Sequence, residues 1–365
     1  MIVSSVTFYF RYFLQTALKI RTKPRVLQLP ITSRCNSRCV TCNVWRSAGK
    51  NDLDAGTLKQ VLRDPFFQEI EVVGVNGGEP SLYRNREELL DALFTLKKLK
   101  RLHFISNALA TESLLQLMRT VKQRCSERGV KVYLTVSVDG VGEVHNAVRG
   151  VTDGFSRTLQ TLQALKRNRQ EYCHRLDVGC TFSNRNIEYA QETECFMKFL
   201  DIDAYYHLAV PNKRLHNFEE ADFNLVLNTR SRQLATEYFY CRYKKSSGLK
   251  HKLRSFLIYY YLLHKGKGRL AGCQYLRENV TLSETGDLFL CATASDRIGN
   301  LKETSASVLL ESGGFEAQEK KIEPFCPTCV HYIVFPSLKG GWYFLKQLFS
   351  PYIWIHYKIK SVWLR

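Results

Sequence analysis

Between Val26 and Val210 the chain repeats one pattern, a short β-rich apolar run followed by a stretch with helical spacing. The apolar runs fall at Val26–Thr32, Glu71–Asn76, Leu102–Ser106, Val132–Asp139, Leu176–Ser183 and Tyr205–Val210. Between them the spacing predicts helices over Ala55–Leu62, Glu87–Lys98, Thr111–Arg128, Gly154–Asn168 and Ile187–Leu200. Strand–helix alternation at this interval builds parallel βαβ units. Six such units suit an incomplete (β/α)6 barrel. The chemistry of such a barrel sits on the loops at the C-terminal ends of its strands, where they converge over one mouth.

Outside that region the alternation stops. The expected organisation is an N-terminal amphipathic segment over 1–25, the barrel over 26–215, a basic helical connector over 216–270, a cysteine-bearing domain over 271–335 and a basic aromatic tail over 336–365. The net charge of +19 points to an anionic partner, whether nucleic acid, phosphate-bearing substrate or membrane surface. It is unevenly spread. From Tyr238 to Arg277 there is no Asp or Glu, and none follows Glu323. No recognised nucleic-acid module accompanies this charge, so nucleic acid is the least expected of the three. The aromatic and basic residues of Leu249–Leu263, of Trp342–Arg365 and of Phe8–Ile20 read as buried helix faces or as peripheral contacts with a membrane. No window reaches the ~18 uncharged apolar residues of a membrane span. The first residues lack an early positive charge and a cleavage site, so a cytoplasmic protein is expected, with contact at the inner face of the membrane as its alternative. Twelve cysteines in a reducing compartment favour metal or redox chemistry over disulfides.

Three of those cysteines, Cys35, Cys39 and Cys42, stand in a C-x3-C-x2-C spacing directly after the first strand. Three thiolates on one short loop can ligate three irons of a [4Fe–4S] cubane and leave the fourth open to a small molecule. A zinc site or three unrelated buried cysteines would leave the same trace, although zinc wants a fourth local ligand.

Here the chain resembles the radical S-adenosylmethionine superfamily, from Val26 to about Val210. The second strand ends in Gly77-Gly78-Glu79-Pro80, which resembles the family's GGEP motif. The third ends in Ser106-Asn107 and the fourth in Ser137-Val138-Asp139-Gly140; His145 and Arg149-Gly150 resemble an H-x3-RG segment. The resemblance implies that Gly77, Gly78, Glu79 and Pro80 meet the methionine amine, with the glycines leaving room for the ligand. It implies that Ser106, Asn107, Ser137 and Asp139 lie beneath ribose and methionine, and that Arg149 pairs with the methionine carboxylate. In one departure, the aromatic residue that commonly precedes the third cysteine is Thr41, so Val44 or Trp45 is expected to meet the adenine.

Further on, Cys273, Gly286, Cys291, Cys326 and Cys329 form C-x12-G-x4-C…C-x2-C. Thr281–Leu282 and Leu288–Leu290 read as a hairpin around Glu284–Asp287. The pattern resembles the twitch domain, a short relative of the SPASM domain, here a β-hairpin plus helix. By that resemblance Cys273, Cys291, Cys326 and Cys329 hold a second, auxiliary [4Fe–4S] cluster; a structural zinc is the alternative. Of the remaining cysteines, Cys125, Cys173, Cys195 and Cys241 are expected to be mostly packed small hydrophobes. Cys180, on a barrel strand, becomes a hydrogen-atom donor only if it points inward.

The expected function is a radical S-adenosylmethionine oxidoreductase. It would cleave S-adenosylmethionine reductively and oxidise a carbohydrate-like or phosphate-bearing small molecule with help from the auxiliary cluster. A peptide maturase, an epimerase using Cys180 and, from another class, a non-catalytic iron–sulfur electron carrier are its rivals. No leader-binding domain is expected before Val26, which counts against the maturase. A reducing donor such as flavodoxin or ferredoxin is the expected partner.

Overall fold

In a computed structural model the protein is described from residue 10 to residue 349, apart from residues 17, 19, 48, 50, 219–221, 332 and 334. Most of the aromatic tail, 350–365, and the first residues of the N-terminal segment lie outside the described residues. The described chain divides into two compact units.

The first unit, 1–225 with 274–325, is built on one nine-stranded sheet. Strands β1 (Val26–Pro30), β2 (Val72–Asn76), β3 (Arg101–Ser106), β4 (Lys131–Ser137), β5 (Arg175–Phe182) and β6 (Ala204–Leu208) are parallel neighbours in chain order, as in an incomplete (β/α)6 barrel. The connecting helices are α1 (Ala55–Leu62), α2 (Arg86–Leu93), α3 (Thr111–Ser126), α4 (Glu143–Arg149), α5 (Gly154–Arg167) and α6 (Ala190–Phe199). Alternation along the strands decides the two faces. Leu27, Val73, Leu102, Phe104, Leu134, Val136, Val178 and Phe182 are fully buried on the face that the apolar sides of the helices cover, such as Leu114, Leu117 and Val121 of α3. Gln28, His103, Thr135, Gly179 and Thr181 alternate with them on the concave, partly open face.

The sequence placed the tail hairpin in its own domain. Instead β7 (Asn279–Leu282) pairs in parallel with β1, and β8 (Asp287–Phe289) and β9 (Arg297–Asn300) follow it in antiparallel order. The exposed edge of β1 supplies the reason: its unpaired backbone groups are satisfied by the next available strand. Helices α9 (Ala306–Glu311) and α10 (Gly314–Ile322) complete this unit.

The second unit, 226–273 with 326–365, holds α7 (Thr229–Lys245), α8 (Leu249–Leu263) and α11 (Leu338–Phe349). Aromatic rings make its core: Phe344 packs on Phe256 and Tyr243, and Tyr343 meets Tyr260 edge-on. An isolated bridge between Ala271 and Pro336 ties its two chain segments.

Candidate active site at the C-terminal ends of the strands

The loop after β1 carries Cys35, Cys39 and Cys42, and three neighbouring elements hold it. First, Gly78 and Glu79 donate their backbone N–H groups to the carbonyls of Thr32 (2.6 Å) and Arg34 (2.7 Å). A Cβ at Gly77 would sit 2.4 Å from the Thr32 oxygen, and one at Gly78 2.1 Å from the Arg34 oxygen. The two glycines make room for the cysteine loop itself. Second, α4 ends on Gly150 at φ +63°, and the carbonyls it leaves unpaired receive the loop: Arg38 N–H reaches Arg149 O (2.8 Å), Val40 N–H reaches Val148 O (3.0 Å) and Ser37 Oγ also reaches Arg149 O (3.1 Å). Third, the 212–217 turn meets it from the other side, with Asn43 bonded to Leu215 and His216 and Asn217 bonded to Thr41 O.

Glu79 is the hub between β2 and β3. Its carboxylate is almost fully buried and accepts from Ser81 N (3.0 Å), Ser106 Oγ (2.7 Å) and Asn107 N (2.8 Å). Burial pushes its pKa up, while these donors pull it back. Asn107 then reaches the cysteine loop, with Nδ2 2.8 Å from Asn36 Oδ1 and 3.8 Å from Cys35 Sγ. The end of β4 is organised around Asp139 and Arg149. Arg149 is paired to Asp139 at 2.7 Å and lies 3.6 Å from Cys39 Sγ, while Asp139 also accepts from Thr181 N (2.7 Å). The guanidinium of Arg149 is thus paired with an internal carboxylate. A different arginine has an open donor: Arg214 Nη1 is buried without a partner among the described residues, and its charge offsets a part of the rise that burial imposes on the Cys42 thiol.

The adenine candidates separate. Val44 is buried. Trp45 donates Nε1–H to Cys42 O (2.8 Å), and the guanidinium groups of Arg38 and Arg46 lie over its ring. Ser137 closes β4 on the partly open face. Pro80 is buried at the start of a 3-10 turn that Glu79 caps. Cys180 is fully buried on the helix-covered face with Val178 and Phe182, so it does not point inward. Burial and the nearby Asp139 push its thiol well up. Cys125 and Cys173 are buried as expected, whereas Cys195 and Cys241 are exposed, because each falls on the outer side of its helix.

Sequence reasoning missed a polar row on the concave face. His103 Nε2 lies 2.7 Å from Thr135 Oγ1, Thr135 donates to Asp177, and Asp177 pairs with Arg175 at 3.1 Å. Because the threonine proton goes to the carboxylate, Nε2–H donates to Thr135, and Nδ1 is left as an acceptor with no partner among the described residues. Burial, with Arg101 and Arg175 nearby, pushes His103 down to about 4. On β7 the same face carries Asn279 and Thr281, fully buried, with no side-chain partner among the described residues. Such groups call for water or a ligand. The signal was available as polar residues alternating with apolar ones in strands expected to be buried.

Three thiols on one short loop are the donor type that an iron–sulfur cluster takes. Burial pushes Cys35 up to about 12 and Cys42 up to about 11. Among the described residues no three ligand side chains converge on a single ion.

The other four cysteines fall in different units. In the first, Cys291 ends the hairpin, with Thr293 N–H directed at its Sγ (3.4 Å) and Ser295 Oγ accepting its N–H (3.0 Å). In the second, Cys273 and the Cys326–Cys329 turn are tied together by Arg269. Its guanidinium donates to the carbonyls of Ala271 (2.9 Å), Gly272 (2.7 Å) and Cys329 (2.8 Å), and its N–H to Pro327 O (3.0 Å). His331 N–H faces Cys329 Sγ at 3.5 Å. Sequence reading had counted Arg269 only as part of a basic stretch.

Comparison with known proteins agrees with this geometry. Residues 29–193 match the family described as "Radical SAM superfamily". The chain is 28% identical over 200 residues to the pre-heme d1 synthase of Dinoroseobacter shibae, a match covering 53% of this chain and 46% of that protein. It is 25% identical over 169 residues to the Fe-coproporphyrin III synthase of Methanosarcina barkeri, covering 46% and 39%. The chain thus spans less than half the length of these two relatives. Among solved structures it resembles anSMEcpe with bound AdoMet (TM-score 0.59, 16% identity, 89% of this chain and 97% of that one). It also resembles Streptococcus suis SuiB bound to the precursor peptide SuiA (TM-score 0.57, 15% identity, 86% and 71%). At these identities the structures show a shared fold.

Proposed function

We propose that this chain, a member of the radical SAM superfamily through its residues 29–193, is an oxidoreductase that acts on an anionic small molecule. The observation that carries the reading is the loop of Cys35, Cys39 and Cys42, fixed at the C-terminal ends of β1–β4 by Gly78, Glu79 and the end of α4. Those three cysteines would hold the catalytic [4Fe–4S] cluster. On the sequence pattern, Cys273, Cys291, Cys326 and Cys329 would hold the auxiliary one. When bound, the first cluster and S-adenosylmethionine supply a hydrogen-abstracting 5′-deoxyadenosyl radical, and the second supplies an acceptor for the electron that the substrate radical gives up.

The chain's own residues position the rest. Glu79 holds Ser106 and Asn107 against the cysteine loop, and Asp139 holds Arg149 beside Cys39. Arg214, with its unpartnered Nη1, is the residue we assign to an anionic group of the methionine or the substrate. The polar row on the concave face keeps a neutral His103 Nδ1 available to accept a proton. The names of the two curated relatives point to heme-type molecules, and an iron coproporphyrin belongs to the anionic class proposed. The burial of Cys180 counts against an epimerase that would use it as hydrogen donor.

The test is anaerobic reconstitution with iron and sulfide, followed by dithionite and S-adenosylmethionine. We expect 5′-deoxyadenosine from the unaltered protein and none after Cys35, Cys39 and Cys42 are all changed to Ala. Changing the four later cysteines to Ala should lower iron from about eight to about four per chain and leave deoxyadenosine formation detectable. Undiminished cleavage in the triple variant would overturn the assignment of the first loop. Loss of zinc in place of iron from the quadruple variant would overturn that of the second set.

A further inference from the structure

The second unit carries nearly all of the protein's excess charge. It holds sixteen lysines and arginines against a single acidic residue, Glu237, while the whole chain has a net charge of +19. The rest of the chain is therefore close to balanced. Charge so segregated creates a local positive field. Part of it also sits at an unfavourable place. Lys250 and Lys252 lie in the first turn of α8, where the helix dipole is already positive and acidic residues would be stabilising.

Helix α11 adds a second, independent feature. Its inner side is packed, with Phe344 buried against Phe256 and Tyr243. Its outer side is apolar. Leu338 (73% exposed), Trp342 (60%) and Leu345 (48%) recur at i, i+4 and i+7 and so form one stripe. Lysines flank the stripe: Lys346 Nζ lies 5.1 Å from the Trp342 ring centroid, and Lys339 Nζ 6.0 Å from that of Tyr343. Three large apolar side chains on one outer stripe exceed the scattered exposure usual on a solvated helix, and a nucleic-acid contact gains little from Leu338 and Leu345. An anionic bilayer surface uses both components. Apolar side chains and the indole enter the headgroup boundary, and lysines reach up from either side to the phosphates.

We propose that α11 and the basic surface of its unit dock the protein on an anionic lipid membrane, with Trp342 and Leu345 entering the interface. The contact does not depend on either iron–sulfur cluster, so its test is separate from that of the enzymatic reading. The full chain should co-sediment with phosphatidylcholine vesicles that contain phosphatidylglycerol, far less with pure phosphatidylcholine, and should be largely released by high salt. Tryptophan emission should shift to shorter wavelength on binding, and the shift should shrink in Trp342→Ser. Trp342→Ser with Leu345→Ser should lower the partition coefficient by about tenfold or more. Lys339→Glu with Lys346→Glu should lower it by a similar factor, since each lysine near such a surface contributes about 1 kcal/mol. These side chains are exposed, so circular dichroism of both variants should match the parent. Absence of sedimentation at low salt, or undiminished sedimentation of both variants, would overturn the proposal. So would a lipid-free dimer that dissociates on Trp342→Ser, which would assign the stripe to a second copy of the chain.

Discussion

Asp139 and Arg149 face each other at 2.7 Å with side-chain exposures of only 5% and 13%. Removing one partner of such a pair leaves an uncompensated buried charge, which costs about 3–5 kcal/mol. Asp139→Asn keeps an oxygen for Thr181 N–H yet strands the guanidinium, whose remaining neighbour is Cys39 Sγ. Arg149→Met strands the carboxylate in turn, and also removes a cation from the C-terminal turn of α4, where it is favourable. The double variant buries no lone charge. Its destabilisation should therefore fall short of the sum of the singles by about 2–3 kcal/mol, the coupling expected of groups in contact. Urea unfolding at neutral pH, followed by circular dichroism, measures all three. Calorimetry with S-adenosylmethionine supplies the second readout. Were Arg149→Met to keep its stability within about 0.5 kcal/mol of the parent, as surface changes do, while losing affinity for S-adenosylmethionine, the pairing argument would fail. Arg149 would then be a ligand residue.

Gly150→Ala should destabilise the protein by about 1–3 kcal/mol and lower iron loading of the first site. The position has φ +63°, and a Cβ would lie 2.6 Å from Arg38 O within the docked loop; iron analysis after reconstitution checks this. Arg269→Ala should reduce iron retained by the auxiliary cysteines while deoxyadenosine formation persists, because the guanidinium joins three carbonyls beside Cys273 and Cys329. Equal iron in parent and variant would refute the bracing role. His103 has a folded pKa of about 4, below the ordinary value of 6.5, so its neutral form is favoured by folding. Its contribution is complete above pH 6.5 and is lost as pH falls from there towards 4, at about 1.4 kcal/mol per pKa unit. His103→Gln should flatten that part of the stability–pH curve; an unchanged slope would contradict the shift.

Local chemistry made the strands, the cysteine loop and the motif residues legible in the sequence. β-branched runs followed by amphipathic spacing can bury their apolar faces only as βαβ units, and that placed Cys35, Gly77, Ser106 and Asp139 at the ends of β1–β4 in chain order. Spacing could not say what each motif residue touches, because the partners are distant in the chain. Gly78 meets Arg34 across a sheet neighbour, Arg149 meets Asp139 from the next helix, and Thr135 joins His103 to Asp177 across three adjacent strands. The hairpin was legible, but its membership in the barrel sheet was not, since pairing of β7 with β1 depends on an open edge that exists only once the barrel has formed. The position of Cys180 turned on register. One residue of slip exchanges the helix-covered and concave faces, and only the assembled ladder with β6 fixes which one it takes.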